Sequence, residues 1–389
     1  MLPVFSHCRW QGMKERSTLL KLNNLRVPLL AAPMAGGPST PALVAAAARA
    51  GGLGMLAAGY KTAAAMANEI EVGRELTGNR LGVNVFVPAA MAGSSPPPGG
   101  SGAAGDAGEA DRADEAARAA RVADYAHVLE AEAQRYTVTF PAPNPADTDG
   151  YAEKIDYLLR HPLPLVSFTF GLPEPEIVER LHDAGTHLTL TVTNAAEARA
   201  AVARGADSLC VQGPDAGGHR GTHEEGSPPG SRSLTALLAE LAHVTGLPLI
   251  AAGGVGTGAD VRMLVAAGAS AVQLGTLLLR SPESGAQQAH KDALASGRYT
   301  GTSVTRAFSG RLARGLTNRF IREHDGQAPA AYPEVNQLTR PLRAAAALAG
   351  DPDGLALWAG TGFMHSRAEP AEKIMADLWR AACRQQTAD

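Results

Sequence analysis

Residues Gln212 to Glu225 read QGPDAGGHRGTHEE, a histidine with two glycines directly before it and a third two residues after it. Imidazole has an unperturbed pKa of about 6.5, so His219 can move a proton near neutrality or hold an anion by a charge-assisted hydrogen bond. The glycines let that loop pass close over a bound molecule and leave room for a small substrate. Two further stretches, AAGGVGTGAD from Ala251 and QLGT from Gln273, have the composition of a phosphate cradle. There Gly253 and Gly254 would let backbone amides approach an anion, and Gln273, Gly275 and Thr276 would supply the other half. A Gly-Gly pair after a strand is commonly only a tight turn; its pairing with QLGT at a neighbouring strand end favours the cradle. Asn84, inside the apolar run GVNVF, must find a partner or incur a cost of about 1–3 kcal/mol. That partner is either backbone or the ring edge of a ligand. His219, His223, Glu224 and Glu225 invite comparison with a metal site, but a glycine-broken loop lacks the helical i, i+4 geometry, so no metal is expected. His182 and His243 are expected to be solvated at helix surfaces or ends.

These groups need a frame that brings distant loops together. Short apolar runs start at Pro28, Gly52, Leu81, Pro164, His187, Asp207, Pro248 and Ala271, and amphipathic or Ala-rich helical stretches follow most of them. That alternation predicts parallel strands with crossover helices, and the unbroken apolarity predicts strands covered on both faces. Helix punctuation agrees: Thr40 precedes Pro41, and NAAEARAAVARGAD starts after Asn194 and stops at Gly205. Eight such units close most simply as an α/β fold of the (β/α)8 TIM-barrel type. A doubly wound sheet would show a glycine fingerprint after its first strand, and APMAGGPST has none. Chemistry is then expected at the C-terminal strand ends, where Met34, Gln212, Gly254 and the Gln273–Thr276 run all fall.

The division expected along the chain is an N-terminal extension over 1–17, in which Met13 offers an alternative start, a barrel over 18–300, and a C-terminal segment over 301–389. Ala89 to Asp111 contains no aromatic or β-branched residue and reads as a disordered-looking Gly/Pro-rich insertion, a mobile loop. Past about residue 300 the strand pattern is lost, and PEVNQLTRPLRAAAALAGD and EPAEKIMADLWRAACRQQ read as helices capping the barrel mouth. Of 389 residues 45% are hydrophobic, and 35 basic against 38 acidic residues leave a formal charge of −3. Such a balance gives no reason to expect a nucleic-acid partner or an anionic membrane surface. Three cysteines without CxxC spacing indicate neither a disulfide framework nor zinc, and no run approaches the roughly 20 apolar residues of a membrane span. The expectation is a cytoplasmic protein, monomer or homodimer.

The set APMAGGPSTPALVAAAARAGGLG, LGVNVFVP, VSFTFGLP, QGPDAGGHRG, AAGGVGTGADV, VQLGT and TRAFSGRLARGLTNRF resembles the FMN-dependent nitronate monooxygenases, formerly 2-nitropropane dioxygenases, of the bacterial type. The likeness runs over roughly residues 18 to 380. It departs in the Gly/Pro-rich insertion and in Asp215, where a glutamate is commoner. The resemblance implies an FMN cofactor contacted by Met34, Asn84, Gln212, Gly217, Gly254, Gln273, Leu274, Gly275 and Thr276, with His219 as the active-site histidine. It implies oxidation of alkyl nitronates, such as propionate 3-nitronate, by dioxygen to a carbonyl compound and nitrite, a detoxification. Flavin-dependent enoyl-acyl-carrier-protein reductases and quinone reductases share the GGH loop and stand as the alternative.

Overall fold

The computed structural model describes residues 22, 25–88 and 107–384. Strands β1 (Leu29–Ala31), β2 (Leu53–Ala57), β3 (Leu81–Phe86), β4 (Leu165–Thr169), β5 (His187–Val192), β6 (Ser208–Gln212), β8 (Leu249–Ala252) and β9 (Ala271–Leu274) form a closed parallel barrel in which β9 pairs back onto β1. Each arises from one of the eight apolar runs. β2 and β8 are buried at every position and β3 at all but its last, because a barrel interior of packed side chains lies on one face and helices lie on the other.

Helix boundaries follow local chemistry. The Thr40 side chain accepts from Leu43 N–H at the start of Pro41–Arg49. Asn194 caps Ala195–Arg204, which ends on Gly205 in the left-handed conformation, φ 99°. Thr257 and Asp260 form a reciprocal capping box ahead of Gly258–Ala266.

Three expectations need correction. The chain beyond residue 300 does not lose its strands: β10 (Thr302–Thr305) and β11 (Ala313–Leu316) join the two-residue strand β7 (Gly218–His219) in a small antiparallel sheet at the mouth. These short segments hold Ser, Thr, Arg and Gly, so no apolar run marks them. Of the two C-terminal helices, Glu334–Leu348 does stand at the mouth and places Arg340 and Arg343 in the cavity wall. Ala371–Cys383 instead packs on the outer helices Pro41–Arg49 and Gly258–Ala266, the place of an eighth barrel helix. Its buried stripe of Ala371, Ile374, Met375 and Leu378 joins the barrel's main apolar cluster, and that burial decides where it docks. Finally, the helix Ala107–Val128 begins inside the stretch read as a mobile loop up to Asp111. Residues 89–106 lie outside the described residues, as do the N-terminal extension and Met13. No helix among the described residues is long and apolar enough to cross a membrane.

Candidate functional site

A cavity of about 440 Å³ opens at the C-terminal ends of the barrel strands. Its wall brings together Met34, Asn84, Gln212, Gly217, His219, Gly254, Gln273, Leu274, Gly275 and Thr276, every residue the sequence nominates. The tenor of that wall is electropositive: Arg340 and Arg343 line it, and no Asp or Glu among the described residues does.

His219 is held on three sides. Its backbone sits in β7 opposite Ala313 of β11, and the Gln212 amide donates to its carbonyl at 2.9 Å while accepting from Gly221 N–H at 2.8 Å. Gln212 thereby ties the end of β6 to the glycine-histidine loop. At the ring, Nε2 stands 2.8 Å from Ser309 Oγ. Ser309 Oγ also lies 3.1 Å from Arg311 O and accepts from Arg311 N–H at 3.4 Å, so it pins the imidazole at Nε2. Rings of Phe170, Tyr332 and Trp358 surround the imidazole with centroids 5.4–6.1 Å away. Burial, reinforced by the Arg311 and Arg343 guanidinium groups, pushes its pKa down to about 3. The charged form loses hydration there and meets two like charges, so the imidazole is neutral at pH 7.

Of the two wall arginines, Arg343 is the one whose charge acts on His219. Its Nη2 donates to Asn336 O and Oδ1, both at 2.8 Å, while its buried Nε has no partner among the described residues. Burial brings its pKa down to about 10, still charged at pH 7, and no carboxylate among the described residues balances it. Arg311 is spent differently, lying 4.0 Å over the Phe170 ring and donating to Thr222 O.

Glycines serve close packing as much as openness. A Cβ at Gly217 would come closer than 3.0 Å to the backbone of Ala359 and Gly360, and one at Gly253 or Gly254 would meet Ala216 or Asp215 equally tightly. Gly360 N–H donates to Thr276 Oγ1 at 2.9 Å. Three loops from distant parts of the chain thus cross in close contact, with the glycines providing the clearance. Gly217→Ala is expected to destabilise the protein by about 1–3 kcal/mol, because both sides of the clash are backbone. Urea unfolding reads this as a lower midpoint; an unchanged midpoint would show that the 359–362 segment gives way freely.

Asn84 is satisfied inside the barrel, its Nδ2 donating to Ser167 Oγ at 2.9 Å and Thr169 Oγ1 at 3.0 Å. The Ser167 backbone carbonyl at 3.3 Å is a third partner, the kind the sequence allows for, and the residue still lines the cavity. His223 and Glu225 are engaged elsewhere: His223 Nε2 lies 3.0 Å from Thr191 O, and Glu225 pairs with Arg118. His182 is not solvated but sits 2.9 Å from Asp207 Oδ2, while His243 is exposed as expected. The one cluster with metal-ligand spacing among the described residues, Glu132, Glu323 and His324, already has Arg319 donating to both carboxylates.

Ser309, Tyr332, Trp358 and Arg343 were not singled out in the sequence. Ser309 lies within TRAFSGRLARG, and GTGF at 360–363 carries a glycine signal beside Trp358; Tyr332 and Arg343 carry no local signal.

The sequence model of the nitronate monooxygenase family matches residues 16–96 and 107–380. The "Probable nitronate monooxygenase" of Staphylococcus aureus is 34% identical over 372 residues, 94% of this chain and 97% of that protein. Among solved structures, the nitroalkane oxidase from Streptomyces ansochromogenes superposes with a TM-score of 0.81 at 44% identity, covering 93% of this chain and 97% of the other. FabK from Thermotoga maritima gives a TM-score of 0.68 at 22% identity over 95% and 96% of the two chains, a likeness of fold.

Proposed function

The chain belongs to the nitronate monooxygenase family, and from that premise we propose that it binds FMN at the barrel mouth and oxidises small alkyl nitronates, propionate 3-nitronate among them, with dioxygen to a carbonyl compound and nitrite. The observation that carries this reading is the composition of the wall: a neutral imidazole, which keeps one ring nitrogen as an acceptor, and two arginines, with no carboxylate among the described residues to repel an anion. An already formed nitronate, or the carboxylate of its propionate form, meets two cations and no anionic side chain of the described wall.

The residues present fit the flavin. Gly253 and Gly254 hold positive φ, 120° and 73°, and the N–H groups of Gly254 and Gly275 have no backbone partner among the described residues. Two orphan amides at adjacent strand ends suit a phosphate. Gly254 and the Gln273–Thr276 run with Leu274 would hold that group, and Met34, Asn84, Gln212 and Gly217 would line the ring system. Bound FMN would supply the redox chemistry, taking electrons from the nitronate and delivering them to dioxygen. The protein's own part is binding and proton handling. The neutral His219 imidazole can take the α-proton of a neutral nitroalkane, with Ser309 holding the ring in place. Phe170, Tyr332 and Trp358 exclude water around it, and Arg343 holds the anionic end of the substrate.

Purified protein is expected to be yellow, to release FMN and not FAD on denaturation, and to consume dioxygen and form nitrite with propionate 3-nitronate. NADH or NADPH is expected not to bleach it anaerobically. Release of FAD, or reduction by a pyridine nucleotide without nitrite formation, would replace this reading with a reductase.

A further inference from the structure

The wall of the site is held from behind by the helix Ala107–Val128, which lies within the connection between β3 and β4. Val122 and Tyr125 of this helix are buried in one cluster with Ala307, Phe308, Val335 and Leu338. Tyr125 Oη donates to Ala307 O at 2.8 Å, two residues before Ser309. Arg118, one face along the same helix, makes a denser contact. Its Nε and Nη2 donate to the two oxygens of Glu334 at 2.6 and 2.9 Å, and its Nη1 donates to Glu225 Oε2 at 3.0 Å. Its Nη2 also donates to Tyr332 O at 2.8 Å. The other Glu225 oxygen accepts from Tyr332 N–H at 2.5 Å.

Both polar groups of the Tyr332 backbone are therefore fixed by one guanidinium and the carboxylate it holds, on the residue whose ring faces His219 at 6.1 Å. Four of the five guanidinium N–H groups can be accounted for by this cluster, a fork geometry that lysine does not reproduce. Glu334 is 6% exposed and Glu225 14%, so the pairs are shielded from the screening that weakens surface salt bridges. Arg118 touches neither the cavity nor His219.

We propose that Arg118 is a positioning residue for substrate binding, acting through Glu225 and the Tyr332 backbone to set the aromatic wall over His219. The effect on nitronate kinetics rests on the function proposed above; the clamp itself does not. Removing the clamp lets Tyr332 move and loosens the substrate end of the cavity, while the glycine crossing around Gly217 and Gly254 stays intact.

In the flavin-loaded protein, Arg118→Met is expected to raise KM for propionate 3-nitronate about tenfold with kcat within about threefold. FMN content should be unchanged, and amide hydrogen exchange over residues 328–336 should be faster. Arg118→Lys should fall between the two. In a Tyr332→Ala background the same Arg118 change should add no further rise in KM, the non-additivity of residues acting through one another. Independent, multiplicative effects, or unchanged exchange over 328–336, would overturn the proposal. Should Arg118→Met not fold, Glu225→Gln weakens the same link and carries the same test. A wild-type protein that oxidises no nitronate would overturn the proposed function, whereas the exchange comparison would still decide the clamp.

Discussion

His219→Asn is expected to lower kcat/KM for neutral nitroalkanes by about 10²–10⁴-fold, the range typical of a lost general base, while turnover of preformed nitronates stays within about tenfold. An asparagine amide keeps a polar, hydrogen-bonding side chain at this position but cannot accept the α-proton that the imidazole would take. Preformed nitronates have already lost that proton in water, and the two cavity arginines remain to bind them. The pH dependence separates the two roles an imidazole could play. Burial and the Arg311 and Arg343 charges hold its pKa near 3, so the base form is present above that value and is lost only as pH falls toward it. The wild-type profile for nitroalkanes should then show no histidine titration between about pH 5 and 8. An anchoring imidazolium would have the opposite sign, with nitronate activity falling as pH rises through the pKa. Stopped assays of both substrate forms over that range decide the matter; equal activity of wild type and His219→Asn on both, with flavin bound, would make the histidine structural.

Arg343→Met is expected to act mainly on binding. Losing a hydrogen bond to a charged group removes about 1.5–3 kcal/mol, which corresponds to a rise in KM of roughly 10- to 150-fold for a nitronate bearing a second anionic group. A nitronate with a neutral tail should lose less. The same change has an electrostatic signature independent of turnover. Arg343 is one of two cations that lower the His219 pKa, so its removal should raise that pKa, though burial keeps it below the free value. Imidazole proton or nitrogen resonances followed through a pH titration would read the shift directly. Toward urea the variant should change little, because the loss of the two bonds to Asn336 is offset by removal of a buried, unpartnered Nε and of a charge with no carboxylate neighbour among the described residues. A KM equal for both substrate classes would place the anion elsewhere in the cavity, with the exposed Arg340 as the remaining cation of the wall.

The amino-acid sequence by itself determined the barrel, because each of its eight strands is a local, unbroken apolar run and most are followed by helices with their own caps at Thr40, Asn194 and Thr257. It also placed His219 and the glycine turns at the C-terminal strand ends, since loop composition and strand order suffice for that. What only the tertiary structure decided is everything that rests on long-range pairing. β7 has two residues and exists because β11 lies beside it, so no periodicity could announce it. Ser309 becomes the partner of His219 across 90 positions, and its approach holds the ring. The depressed pKa of that histidine, and the charge on Arg343, depend on which side chains exclude water and which carboxylates are absent, quantities with no local sequence correlate. Ala371–Cys383 and Glu334–Leu348 are both amphipathic helices, and their patterns differ too little to tell the outer wall from the mouth. The available surface decided it: the gap between Pro41–Arg49 and Gly258–Ala266 took the first, while the second, at the mouth, packs against the cluster of Phe308 and Phe320.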